Sequence, residues 1–531
     1  MKKILLASAG LLAAAALWIA AQTASAGPPL AALFPGGPLL YIEARDFSAL
    51  LRDWNASPEK KQWLASDNYS VFSRSRLFER LAMEQQAFAG AAGFTADMPL
   101  LDTVAGGESA LAIYDIGELA FLYVSRLPAS RVAGTVLAKA QSSYESRTAA
   151  GQPYFVRRAN GKVATFATAD GLLMLATRED LIAAALSFLA KQGQTKPVGD
   201  DAWYARAAAA SPAQGEIRLV LNMPPLVASP YFRSYWIQRN RSELAPFAAA
   251  VVDVHREPGR IREERVLLRA DPAAPDAHQA AAGRLLALVP PASGFHRVWA
   301  SPPVDLAMNL AAAKIVAPGV PSAGRQSFAP AAADLTSVAG SEADLETAID
   351  EPPLPAGTSD EIAALRSIVE RTGLDALLAI QTSRTYPDGV FVGNETALVL
   401  AAPSPWPEPA LRGALPGRLI HVAGPYLALA DRRDMLNAVV SRLQQPALPP
   451  VLYAAAYSHR QEFRPYLQMT RMIDAVRSPG GDDPNSPRQP NFFSGNVASL
   501  GAVFSRLDTA SLRATDAGAS VKEQVLYTFV P

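Results

Sequence analysis

"ADGLLMLATREDLIAAALSFL" runs from Ala169 to Leu189, and "AGPYLALADRRDMLNAVVSRL" runs from Ala423 to Leu443. Laid over each other without a gap, the two stretches agree at nine of twenty-one positions. Each begins with a short apolar run, Leu172 to Ala176 in the first, which suits a buried strand. Thr177 with Asp180 three residues on, and Asp431 with Asp434, then have the spacing of a helix N-cap and its acidic partner. Leu181, Ile182, Ala185, Leu186 and Leu189 form one apolar helix face, which Met435, Leu436, Val439, Val440 and Leu443 rebuild at the same spacing.

Three further matches occur in the same order, as a duplicated domain requires. "VAGGESALAI" (Val104 to Ile113) resembles "RTGLDALLAI" (Arg371 to Ile380), with Leu111-Ala112-Ile113 set against Leu378-Ala379-Ile380. Phe232-Arg233-x-Tyr235 recurs as Phe463-Arg464-x-Tyr466, and "EERVLL" (Glu263 to Leu268) resembles "KEQVLY" (Lys522 to Tyr527). Strand patterns cluster as hairpins, with helices between the groups, so the expected class is α+β with antiparallel sheets packed against helices. Asn160-Gly161 is the strongest hairpin signal.

The expected organisation is two tandem, internally duplicated domains. Residues 1–26 read as a signal peptide: Lys2 and Lys3, an apolar run from Ile4 to Ala21, then Ala24-Ser25-Ala26 as a cleavage site. Retention as an uncleaved N-terminal anchor is the alternative, because the run is long enough to span a bilayer. Residues 27–270 form the first repeat, 271–290 a linker and connecting helix, and 291–531 the second repeat. A Pro/Ala-rich insertion lies near 316–358. The expected location is periplasmic or secreted in a bacterium, with anchoring to the inner membrane as the alternative.

The chain has no cysteine, which removes disulfides, thiolate nucleophiles and Cys-ligated zinc. Its 49 basic and 49 acidic side chains balance, so nothing marks it as a nucleic-acid binder. The serine-hydrolase elbow, the zinc-protease His pair, the P-loop and the dinucleotide glycine pattern are all missing. His255, His278, His296, His421 and His459 hold no helical metal-ligand spacing. No catalytic, cofactor or metal residue is therefore assigned.

The candidate contacts are arginines. If the repeats face each other, Arg233 and Arg464 approach one anionic ligand across the pseudo-axis, and guanidinium suits carboxylate or phosphate. Arg178 and Arg432 recur at the start of a helix, where a cation opposes the dipole, so an ion pair with Asp180 or Asp434 is expected.

The exported start, "LLYIEARDFSALLRDW" (Leu39 to Trp54) and "LLMLATREDLIAAAL" (Leu172 to Leu186) together resemble a family of large exported bacterial envelope proteins known only as a domain of unknown function. The resemblance implies no activity. The functional expectation is a non-enzymatic exported envelope protein with a partner-binding or scaffold role, its partner an envelope protein or an apolar small molecule. A carrier of a lipid or other apolar ligand and a carboxylate-based hydrolase are the alternatives.

Overall fold

The computed structural model describes residues 27–530 apart from 75, 96, 128, 230–243, 317–359, 386–391 and 478–491. The expected signal segment, the Phe232-Arg233-x-Tyr235 motif and nearly all of the 316–358 insertion lie outside the described residues. The fold is mixed α+β, and every strand pairing given below is antiparallel. The chain divides into two compact units, one running to Arg52 and over Ala82–Arg206, the other Asp53–Leu81 with everything from Ala207 onward. Along the chain the boundaries between the units fall at 52/53, 81/82 and 206/207.

Unit 1 holds β1 (Leu40–Ala44), β2 (Ser109–Asp115), β3 (Ala120–Arg126), β4 (Glu145–Ala149), β5 (Gln152–Ala159), β6 (Lys162–Ala169) and β7 (Leu172–Ala176). Their order is β1-β2-β3-β7-β6-β5-β4. The β5–β6 turn is the expected Asn160-Gly161, both at positive φ (53° and 74°), as a two-residue hairpin turn requires. One sheet face packs Phe166 and Leu173 against Leu100, Val104 and Leu137. The Glu179–Leu189 helix buries Leu181, Ile182, Ala185 and Leu186, the stripe its spacing foretells.

Unit 2 holds β8 (Ile217–Asn222), β9 (Phe247–Glu257), β10 (Arg260–Arg269), β11 (Phe295–Ala300), β12 (Ala376–Thr385), β13 (Val392–Ala401), β14 (Leu419–Ala423), β15 (Tyr426–Ala430), β16 (Tyr453–Ser458), β17 (Leu507–Asp516) and β18 (Ser520–Phe529). Their order is β8-β9-β10-β18-β17-β16-β11-β12-β13-β15-β14. One face buries Leu378, Ile380, Val399 and Ala428 under Leu285, Met435 and Val439. The other buries Leu377, Leu398 and Leu427 under Met308, Leu365 and Leu411. Burial on both faces is why these strands are apolar throughout, without alternation.

The meander β1-β2-β3-β7-β6 and the meander β11-β12-β13-β15-β14 follow the same strand order, each with a helix after the strand that stands fourth in that order, Glu179–Leu189 after β7 and Arg433–Val440 after β15. The registers correct one expected match. Ala112 lies opposite Leu122, which lies opposite Ala176. Ile380 lies opposite Ala397, which lies opposite Ala430. Counted from Ala176 and Ala430, Ala112 therefore corresponds to Ile380, not to Ala379. A slip of one residue exchanges the two faces of a strand, so the match of Leu111 and Ile113 to Leu378 and Ile380 fails.

The expected caps are a second correction. The N-cap positions are Arg178 and Arg432, and neither helix receives a side-chain cap bond. Thr177 and Asp431 work on the sheet instead. Thr177 N donates to Phe121 O (3.2 Å), and Phe121 N donates to Thr177 Oγ1 (3.0 Å). Asp431 N donates to Thr396 O (3.1 Å), and Thr396 N donates to Asp431 Oδ1 (2.8 Å). In both meanders one residue closes the last rung of the ladder with its backbone N–H on one side and its side-chain oxygen on the other.

Candidate functional site

Of the arginines read from the sequence, Arg178, Arg432 and Arg464 lie among the described residues. Arg178 is exposed and folds onto Asp180, with Nε donating to Oδ1 (3.0 Å) and Nη2 to Oδ2 (2.5 Å), which is the expected local ion pair. Arg432, at the N-cap position of the helix Arg433–Val440, and Arg464, on the helix His459–Arg477, are both exposed. Phe463 of the repeated motif stacks on His459 at 5.1 Å. Arg233 lies outside the described residues. Among the described residues no group of three or more His, Asp or Glu side chains is placed to hold a metal.

A layer of four helices in unit 2 has a different character. The helices Pro58–Leu64 and Asp67–Phe72 are cut apart by serine caps. Ser57 Oγ accepts from Lys60 N and Ser66 Oγ from Tyr69 N, both at 3.1 Å. Neither helix buries a single residue. Trp63 of the first lies edge-on to Tyr69 of the second at 5.9 Å, and Phe72 lies edge-on to Phe78, on the next helix Arg76–Ala92, at 5.6 Å. They rest on the helix Phe492–Val503, where Asn68 N donates to Ser499 Oγ (3.3 Å) and Arg506 pairs with Glu59 (3.5 Å).

The helix Phe492–Val503 carries no charged residue. It lies so close to the helix His459–Arg477 that a Cβ at Gly501 would sit 1.9 Å from the Phe463 ring, so only glycine fits there. The helix His459–Arg477 is tied to the sheet by Glu462, 4% exposed, whose Oε1 accepts from Ser383 N (3.0 Å).

Of the nine large apolar side chains exposed among the described residues, four lie on these four helices, Leu64 (47%), Val71 (56%), Tyr466 (48%) and Leu500 (38%), and a fifth, Phe504 (47%), directly follows the helix Phe492–Val503. Single exposed apolar residues are ordinary; a concentration of them marks an interaction surface. The exposed charges here are mostly basic. Lys61, Arg74, Arg460, Arg464 and Arg471 are all exposed. Of the acids on these helices whose side chains are described, Glu59 is paired, Glu462 is buried and Asp67 is exposed; Asp474, also on the helix His459–Arg477, is not among them. Sequence reasoning missed this surface because its apolar residues resemble core residues until their neighbours are known. The one available signal was "FFSGNVASLGAV", too apolar on every side for a helix with one solvent face.

No protein-family model and no curated protein matches the chain. Among solved structures, crystal forms III, I and IV of TP0453 are similar over 46% of this chain and 81–82% of theirs, at 9–10% identity and TM-scores of 0.24–0.26. A likeness so distant carries neither fold nor function across.

Proposed function

We propose that this chain is a non-enzymatic exported envelope protein with a scaffold role, docking through the four-helix layer of unit 2 onto an anionic lipid surface. The observation that carries this reading is the gathering of Leu64, Val71, Tyr466 and Leu500 on helices whose described exposed charges are mostly cationic, with Phe504 directly after the last of them. Apolar side chains enter the headgroup boundary while Lys and Arg meet anionic lipid, at roughly 1 kcal/mol per basic residue near the surface. The apolar run from Ile4 to Ala21 supports the same location, whether it is cleaved after export or kept as an anchor. No described helix is long and apolar enough to cross a membrane.

The test is co-sedimentation of the purified chain with phosphatidylglycerol vesicles and with phosphatidylcholine vesicles. The expected result is binding to the anionic vesicles that falls at least tenfold in a folded Leu64→Asp/Val71→Asp/Phe504→Asp variant. Equal binding by parent and variant overturns the reading, as does capture of a protein partner with no affinity for either vesicle.

We infer also that the two meanders descend from one duplicated module. Their common strand order and the shared ladder closure by Thr177 and Asp431 support this.

A further inference from the structure

Where β10 meets β18, unit 2 opens a groove of about 400 Å³. Its floor follows from the registers. Glu264 lies opposite Gln524 and Val266 opposite Lys522. Arg513 lies opposite Gln524 and Thr515 opposite Lys522. Directly opposed residues share a face, as do residues two apart, so these six side chains project from one side of the sheet. The wall is Ala210 to Ala213.

That wall is fixed by a buried ion pair. Asp253 is fully buried and Arg218 is 6% exposed. Asp253 accepts from Arg218 Nε (2.9 Å) and Nη2 (2.8 Å), from Ser211 Oγ (2.6 Å) and from Gly215 N (2.9 Å). A buried charge pair earns its place only when its hydrogen bonds are complete, and here they clamp the loop that overhangs the groove.

The floor carries unbalanced positive charge. Arg265, on the opposite face, is paired with Glu263 and Glu523, and the Glu264 carboxylate is held by Arg262. Arg513 and Lys522 are exposed, and neither side chain has a carboxylate partner among the described residues. His296 shares this face, since it lies opposite Ala456, which lies opposite Ser511. Burial pulls the His296 imidazole down to about 4, and the positive charge of Arg513 acts in the same direction.

We propose that this groove binds a small organic dianion, a phosphate monoester or a dicarboxylate, between the Arg513 guanidinium and the Lys522 ammonium, with Thr515 and Gln524 as further donors. Guanidinium and ammonium donors on a compact oxyanion make charge-assisted hydrogen bonds, the strong class. The volume falls within the roughly 300–1,000 Å³ of small-ligand pockets. Two cations on a neutral chain suit a small anion, not a nucleic-acid backbone.

The test is calorimetric titration of the full chain with inorganic phosphate and, separately, with succinate at low ionic strength. The expected result is saturable binding of at least one probe at one site. Binding weakens at least about tenfold in Arg513→Ala/Lys522→Ala and is largely kept in Arg513→Lys. Tighter phosphate identifies a phosphoester ligand, and tighter succinate a dicarboxylate. NMR of the His296 imidazole gives a second readout: the bound anion offsets Arg513, so the His296 pKa rises on saturation. No saturable binding of either probe overturns the proposal. So does undiminished binding in a folded double variant, or a His296 titration that the anion leaves unmoved.

Discussion

The two meanders solve one structural problem with different chemistry. Just past the end of β7 a hydroxyl, Thr177, takes the N–H of Phe121 in β3. Just past the end of β15 a carboxylate, Asp431, takes the N–H of Thr396 in β13. The next helix differs more. The Glu179–Leu189 helix starts with Glu179, which Arg147 (2.5 Å), Tyr154 (2.8 Å) and Arg158 grip from the β4–β5 hairpin. The second meander has no such hairpin, and Arg433 stands at the corresponding place. The apolar faces and the ladder are constant, while charge follows whatever is packed alongside. Packing and backbone closure are thus the demands this sheet cannot relax.

The largest expected effect tests whether the helix faces are equivalent. Ile182 is fully buried and Leu436 is 8% exposed, at matching positions. Ile182→Ala and Leu436→Ala should each cost about 2–5 kcal/mol, with Leu436→Ala at the lower end, by denaturant unfolding. A loss under about 1 kcal/mol at either site would show that its helix does not anchor its meander.

The ladder rungs come next. Thr177→Ala and Asp431→Ala should each cost about 1–3 kcal/mol by leaving a backbone donor without its acceptor. Asp431→Thr should stay within about 1 kcal/mol of the parent, because the hydroxyl restores the acceptor. If that substitution costs as much as alanine, the two closures are not equivalent. Acidity separates the two solutions. Burial raises the Asp431 carboxyl above its ordinary range, and this outweighs the lowering by backbone hydrogen bonds. Its folded pKa lies above the unfolded value of about 3.9, so its contribution to stability grows as pH falls through the folded pKa and levels off below the unfolded one. Asp431→Thr should lose this acid-side gain in unfolding measured from pH 7 to pH 3.

The smallest effect concerns Glu179. Burial pushes its carboxyl up, but hydrogen bonds from Tyr154, Arg147 and Arg158 prevail and hold it below the ordinary range. The arginines are more than a third exposed, so solvent screens the cluster. Glu179→Ala should cost about 1 kcal/mol or less, less still in high salt, and should leave the second meander untouched. Thermal melts at two ionic strengths measure it.

Much of each meander was legible in the sequence because its signals are local. The Asn160-Gly161 turn, the Leu172 to Ala176 strand and the Leu181–Leu186 stripe need only neighbours a few residues away. The role of Thr177 was not legible, since a threonine before an acidic helix start reads equally as a cap or as a rung. The β10–β18 pairing joins segments about 260 residues apart, and "EERVLL" and "KEQVLY" each look like a solvated strand when read alone. The groove cations were hidden for the same reason: Arg513 and Lys522 occupy different strands, and only register brings them onto one floor.

The β10–β18 seam runs for nine consecutive residue pairs, from Arg260 opposite Thr528 to Leu268 opposite Ser520. Each strand thereby hides a row of main-chain donors and acceptors that would otherwise stand open. A fragment ending in the 271–278 segment would bare the whole of β10, ten residues long, and such a margin recruits any extended chain it meets. Truncated by a protease, this protein would become sticky before it became unfolded.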